Sequence, residues 1–396
     1  MDRRNFIRLV GGSAVGVASG VLPGCSADYP AASVAAWRGP QASDDIRRWA
    51  LGHAILAPNS HNRQPWLADL REPNAIVLHV DRERMLPETD PWFRQIVVSQ
   101  GTFLELLVIA LRERGVDPQV EVFPEGDFSP HTVDGRPVAR VHWTPGAAVS
   151  TKDPLFAQIL KRQTAKVDYD TSRRVAPEVL QALAGALPPD AGFGVRFGGS
   201  VDAARLEPLR QLCADSARVE LTTPRTVMES MRLTRVGPAE ITANLDGISL
   251  NEPMVRALAA VGLFDRTKPP AESSATAFKN MMRRFEGYSR SAMGFVWLST
   301  ATAANAPAQK TRSAEVAAGR AYVRQQLKAT ELGLQMHPMS QAPQEFAEMK
   351  VYYERLHALT IGRPAIDETV QMFCRIGYCA AQPHTPRRGV DAIIRA

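Results

Sequence analysis

The chain lacks the motifs on which most hydrolytic and metal chemistry rests. None of its 8 histidines forms an H-E-x-x-H pair, and its 4 cysteines show no C-x-x-C, so no metal-ligand spacing is present. Neither a phosphate-cradling P-loop nor a G-x-S-x-G elbow occurs, which removes the usual machinery of nucleotide hydrolysis and of the α/β-hydrolases. Cys213, Cys374 and Cys379 read as buried, unpaired thiols. Lysine is scarce as well: of 47 basic residues 8 are Lys and 39 are Arg, with no basic block interleaved with aromatics, so a nucleic-acid footprint is absent.

What remains is ordinary for a soluble globular protein: 45% apolar residues, 22% charged and a net charge of +6. The 396 residues exceed the usual single-domain size, yet two fused halves can share one core. The N-terminus reads Asp2 to Arg8 followed by an apolar run from Leu9 to Leu22, too short to span the ~30 Å hydrocarbon layer comfortably and so read as a signal peptide. The Arg3-Arg4 pair with Phe6 resembles the twin-arginine signal, which is read by a translocase for folded proteins. Leu22-Pro-Gly-Cys25 resembles a lipobox, so residues 1–25 are expected to be an export signal and Cys25 either a lipidated residue or a fortuitous neighbour of the cleavage site. The expected location is periplasmic or otherwise extracytoplasmic. Residues 26–42, rich in Ala, Ser and Pro, read as a tether.

The stretch from Ala57 to Trp66, A-P-N-S-H-N-R-Q-P-W, puts Ser60, Asn62 and Gln64 at alternate positions between two prolines. Pro58 should close the helix before it, which opens on Ser43 as N-cap with Asp44 and Asp45 in its first turn. Such a loop suits the edge of a planar heteroaromatic ligand, and it equally suits an ordinary turn. Strands are expected at 75–80, 138–143, 193–197 and 294–299, alternating with helices in an α/β layered fold. Gly101 to Gly115 and Gly319 to Gly333 look like counterpart helices, each opening and closing on Gly, which suggests a duplicated plan. Residues 43–150 then form a first half and 151–396 a second.

The halves carry different parts. Only the second has R-Q-T-A-K (Arg162 to Lys166) and R-I-G-Y (Arg375 to Tyr378) with Pro386-Arg387-Arg388. Arg162 and Arg387 or Arg388 can fork onto a phosphate, Thr164 adds a hydroxyl and Lys166 a point charge. The alternatives are a solvated helix end for the first element and a disordered basic tail for the last. If the halves pack as a pseudo-dimer, one ligand lies at the seam.

Together the loop, the R-x-T-x-K element and the C-terminal G-Y and R-R resemble the nitroreductase family, most closely its long single-chain, Acg-type branch, from about Asp44 to the C-terminus. The resemblance implies a fused pseudo-dimer that binds FMN, with Arg162 and Thr164 at the phosphate or ribityl end and Lys166 at the N1/O2 edge. Ser60, Asn62 and Gln64 would approach from the other half, Arg387 and Arg388 would close on the phosphate, and Gly377 would let backbone near the ring. Residues 213–290, with Glu229, Arg232 and Asp246-Gly247, resemble a lid insertion, although Met231 replaces the Trp expected before Arg232 and, in the Ala57–Trp66 loop, Arg63 replaces the usual Thr. The implied activity is hydride transfer through flavin N5 to or from a small aromatic, quinone or nitro compound, without a catalytic side chain or a metal. An exported enzyme needs a donor other than cytoplasmic NAD(P)H, a membrane quinol being one. The alternatives are an FMN-sequestering protein of little turnover and an interaction protein that binds no flavin.

Overall fold

The computed structural model describes residues 28–41, 45–146, 151–188, 194–270, 276–301, 311–365 and 367–395. The expected export signal, Cys25 and Ser43 lie outside them. Two four-stranded antiparallel sheets organise the chain. The first contains β1 (Trp66–Asp69), β2 (Ala75–Val80), β3 (Gln119–Val122) and β4 (Ala139–His142) in the order β1-β2-β4-β3. The second contains β5 (Arg196–Ser200) and, after a small parallel pair β6 (Thr234–Val236) and β7 (Ile248–Leu250), β8 (Gly294–Ala301), β9 (Gln335–Pro338) and β10 (Glu368–Gly377). Its order, β5-β8-β10-β9, repeats that of the first sheet.

The helices repeat too. Helix α1 (Ile46–Ala54) precedes β1, and α2 (Arg94–Glu113) joins β2 to β3. In the second half α3 (Pro177–Ala184) precedes β5. Five helices follow it: α4 (Ala203–Thr222), α5 (Pro224–Arg232), α6 (Gly237–Asn244), α7 (Pro253–Ala260) and α8 (Thr276–Arg290). Then α9 (Thr311–Glu331) joins β8 to β9, and α10 (Lys350–Thr360) lies before β10. The five-helix insertion occupies the place that residues 70–74 fill between β1 and β2. It begins at Ala203, ahead of the expected 213, where Asp202 caps α4 by accepting from the Ala204 N–H at 3.0 Å.

The two long helices cross at their glycines. A Cβ on Gly101 would lie 2.1 Å from the Val316 carbonyl oxygen, and one on Gly319 would lie 2.0 Å from that of Val98. Each glycine faces the carbonyl three residues ahead of the other, the reciprocity of a two-fold contact between like subunits. Gly101 and Gly319 therefore sit inside their helices, at the crossing, and not at the helix starts expected from the sequence. The C-terminal ends also match: Gly115 and Gly333 have φ of +76° and +65°, and Val116 and Leu334 donate to Leu111 and Ala329 at 3.1 and 2.8 Å. The first core takes Val316, Val323 and Leu327 from α9, so the halves share it.

Two further expectations are corrected. The N-cap of α1 is Asp45, whose carboxylate accepts from the Arg47 N–H at 2.9 Å, and the helix stops at Ala54, ahead of Pro58. The supposed tether is folded over residues 28–41, with Ser33 and Trp37 buried. Hydrogen bonds explain why: Ser33 accepts from the Arg387 N–H at 3.1 Å and the Trp37 indole donates to Thr385 at 2.8 Å. The C-terminal tail is ordered in turn, and Ile394 makes a parallel bridge to Ala68 of β1.

Candidate functional site

Three segments converge on a pair of buried guanidiniums. Arg162 is 2% exposed and donates to Gln326 Oε1 at 3.1 Å and to the Leu56 carbonyl at 2.7 Å. Arg387 is 5% exposed and donates to Asn62 Oδ1 at 2.6 Å, to Thr385 Oγ1 at 2.7 Å and to the Ala57 carbonyl at 3.3 Å. Neither pairs with a carboxylate among the described residues, and the Nε of each has no hydrogen-bond partner. Burial pulls Arg162 down to about 10, and burial followed by repulsion from Arg162 pulls Arg387 well below its ordinary value. Buried charges are normally paired, so two adjacent cations without a counter-ion make a candidate anion site.

The Ala57–Trp66 loop is built on strained backbone. His61, Asn62 and Gln64 have φ of 47°, 52° and 52°, in the left-handed region that ordinary side chains avoid. Alternation therefore fails to describe where the side chains go. Ser60 Oγ donates to Gln95 Oε1 at 3.0 Å. Gln64 is fully buried; it donates to the Leu245 carbonyl at 2.8 Å and accepts from the Arg388 N–H at 2.9 Å. Only Asn62 of the three reaches the anion site, by orienting Arg387. Ser60 and Gln64 instead bind the protein itself. Within the loop, His61 Nδ1, Arg63 Nε and Trp66 Nε1 are buried without a partner, and of these His61 lies nearest in charge terms to Lys166. The His61 pKa is lowered to about 4 by burial, then by Lys166 and Arg63, so the ring is neutral at pH 7.

Lys166 faces the same region. The residue is exposed, yet burial lowers its pKa, a further lowering comes from Arg284, and Glu220 opposes both. Thr164 accepts from Gln326 Nε2 at 2.9 Å, so Gln326 ties Thr164 to Arg162. Arg375 anchors the segment: fully buried between the rings of Tyr169 and Tyr288, it donates to the Val167 carbonyl at 2.7 Å and to His337 Nδ1 at 3.0 Å. Glu220 of α4 accepts from Gln344 Nε2 at 2.8 Å, and burial raises it to about 7.

Two expected site residues stand elsewhere. A Cβ on Gly377 would meet Tyr169 Cδ2 at 2.5 Å, so its lack of a side chain makes room for that tyrosine. Arg388 turns away from Arg162 toward Asp81, 3.6 Å distant, and toward Gln64. Trp37, His61, Gln326 and Glu220 adjoin the candidate site and were not singled out in the sequence, whereas Arg375 was quoted there only as part of R-I-G-Y. Trp37 had a weak local signal, as one of two aromatics with Tyr29 in an Ala/Ser/Pro-rich stretch.

The insertion is latched to the loop side of the site. Glu229 accepts from the backbone N–H groups of Glu88 and Thr89 at 3.0 Å each. Asp246 accepts from Arg63 at 2.9 Å, Arg84 at 2.8 Å and Arg235 at 2.9 Å. The Gly247 N–H donates to the Asn62 carbonyl at 3.2 Å; its φ is +74°, and a Cβ would meet the Leu233 carbonyl oxygen at 2.2 Å.

No family model matches the chain. It is 27% identical over 193 residues to acg of Mycobacterium tuberculosis, a candidate NAD(P)H nitroreductase by name, the match covering 48% of this chain and 50% of that one. It is 33% identical over 122 residues to the uncharacterized protein Rv3127 of the same organism, covering 30% and 34%. Among solved structures, the FMN-dependent nitroreductase NfnB of Mycobacterium smegmatis in complex with NADPH aligns over 60% of this chain and 96% of that chain, with 16% identity and a TM-score of 0.37. A nitroreductase with bound FMN from Bacteroides fragilis aligns over 60% and 94%, with 15% identity and a TM-score of 0.32. The chain is thus similar in sequence to nitroreductases of the acg kind, and the match spans about half the length of the curated relative.

Proposed function

We propose that the chain is an FMN-dependent oxidoreductase of the nitroreductase type, acting on a small aromatic, quinone or nitro compound. The observation that carries this reading is the pair of buried guanidiniums of Arg162 and Arg387, each with an unsatisfied Nε and no carboxylate partner among the described residues. A phosphate monoester supplies the missing acceptors and the missing charge. When bound, FMN supplies a two-electron carrier that exchanges hydride at N5, so no protein nucleophile is required.

The residues then have distinct tasks. Arg162 and Arg387 hold the phosphate, while Gln326 and Asn62 fix the planes of their guanidiniums. Lys166 would supply a cation that stabilises the negative charge of a reduced flavin. Neutral His61 offers a hydrogen-bonding nitrogen without adding a second charge. The purified chain should show the visible spectrum of oxidised flavin. A colourless protein that FMN cannot reconstitute would refute the proposal. Arg162→Ala should weaken FMN binding by at least tenfold, since a charged hydrogen bond contributes about 1.5–3 kcal/mol.

The latches of Glu229 and Asp246 favour a second reading, in which the insertion stays closed and the protein stores FMN with little turnover. Stoichiometric flavin with no oxidation of NAD(P)H or a quinol would favour storage. We also propose export through the twin-arginine pathway, with Cys25 as a lipid anchor; Cys25→Ala should release the protein from the membrane fraction, and a soluble wild type would refute anchoring.

A further inference from the structure

We infer that Trp37, on the segment ahead of the first helix, is a positioning residue of the anion site that holds Arg162 and Arg387 ready for a phosphate monoester. The inference rests on the FMN reading above. The two guanidinium carbons lie 5.2 Å each from the centroid of the same Trp37 ring. Two like charges buried together repel each other, and among the described residues no carboxylate offsets them. An aromatic face attracts both without neutralising either, so the pair is stabilised while its charge remains available to an anion. A carboxylate in the same place would occupy the site it is meant to prepare.

The ring is held firmly. His384 stacks on it at 4.1 Å and 10°, its indole donates to the Thr385 carbonyl at 2.8 Å, and Arg387 donates its N–H to Ser33 at 3.1 Å. His384 is itself neutral at pH 7, its pKa lowered to about 4 by burial and the two arginines, so it adds no third cation. The same segment reaches the insertion, where Tyr29 donates to the Ser249 carbonyl at 3.4 Å and Asn251 donates to Asp28. Residues 28–41 therefore flank the two arginines through Trp37 and bind the insertion through Asp28 and Tyr29.

The test compares FMN with riboflavin, which lacks the phosphate, by flavin fluorescence titration of the full chain. The wild type should prefer FMN. Trp37→Leu, which keeps apolar volume but removes the aromatic face, should cut that preference about tenfold and leave riboflavin affinity within about twofold. Trp37→Phe should restore most of the preference. A merely structural role would make the Leu and Phe variants alike, and an unchanged FMN-to-riboflavin ratio in Trp37→Leu would overturn the inference. A wild type that binds both flavins equally would instead overturn the phosphate site itself.

Discussion

His61 shows what residue types alone conceal. Alternation selected Ser60, Asn62 and Gln64, whereas the left-handed backbone at 61, 62 and 64 turns two of those side chains into the protein and leaves the histidine nitrogen free. For Arg162, Thr164 and Lys166 the sequence left a solvated helix end as the alternative, and burial of Arg162 argues against that for the first of them. Arg387 and Arg388 could not be told apart by sequence, since only tertiary packing sends one to Arg162 and the other to Asp81. His61 also gives a pH prediction. Its folded pKa of about 4 lies below the ordinary 6.5, so between these values the unfolded chain binds the extra proton, and stability falls as pH drops through that window. In His61→Asn the urea midpoint should therefore decline less from pH 7 to pH 5 than in the wild type; equal declines would refute the assignment.

Among the elements, the α2–α9 crossing and the insertion latches make the sharpest claims. Gly101→Ala favours helix by ~1 kcal/mol, but its methyl would collide with the Val316 carbonyl, so a net loss of about 1–3 kcal/mol is expected, read as a lower melting temperature. Gly262→Ala, at a φ of +71° with no atom within 4 Å of the added methyl, should cost only its backbone strain, ~1–2 kcal/mol. Asp246→Asn leaves three arginines short of a charge. A truly buried pair costs ~3–5 kcal/mol to break, and less is expected here because the guanidiniums are 11% to 21% exposed. The variant should release bound FMN faster and be cut sooner by protease within residues 245–265. Unaltered rates would show that the insertion is held by its apolar contacts alone. Of the inner strands the sequence made β2, β4 and β8 legible through their apolar residues, whereas β10 was not expected and the fourth expected strand falls at the edge strand β5, a few residues early. The sequence misplaced the helix starts because Gly101 and Gly319 are crossing points, a property of two helices together and invisible in either one.

At the scale of the whole molecule, two copies of one plan share a core, yet the functional parts are not duplicated. The strained loop belongs to the first half, Arg162 and Lys166 to the segment leading into the second, and Arg387 to a tail that returns to the first. One flavin per chain is therefore expected from absorbance and protein concentration, and two per chain would contradict the single site. Because α9 supplies Val316, Val323 and Leu327 to the first core, the halves should also unfold together, in one calorimetric transition with its enthalpy matching the van't Hoff value.

The five-helix insertion joins the body through a single connection, the one between β5 and β8, where the first half makes do with residues 70–74. Its first and last helices, α4 and α8, pack on the second sheet through Leu206, Leu209, Leu212 and Tyr288, so only the part between them can change length without disturbing that core, both ends returning to neighbouring antiparallel strands. Neither Arg162 nor Arg387 comes from it. An insertion shortened between α5 and α8 that keeps α4, α8 and the Glu229 and Asp246 latches should thus leave both sheets, and any preference for FMN over riboflavin, where they were.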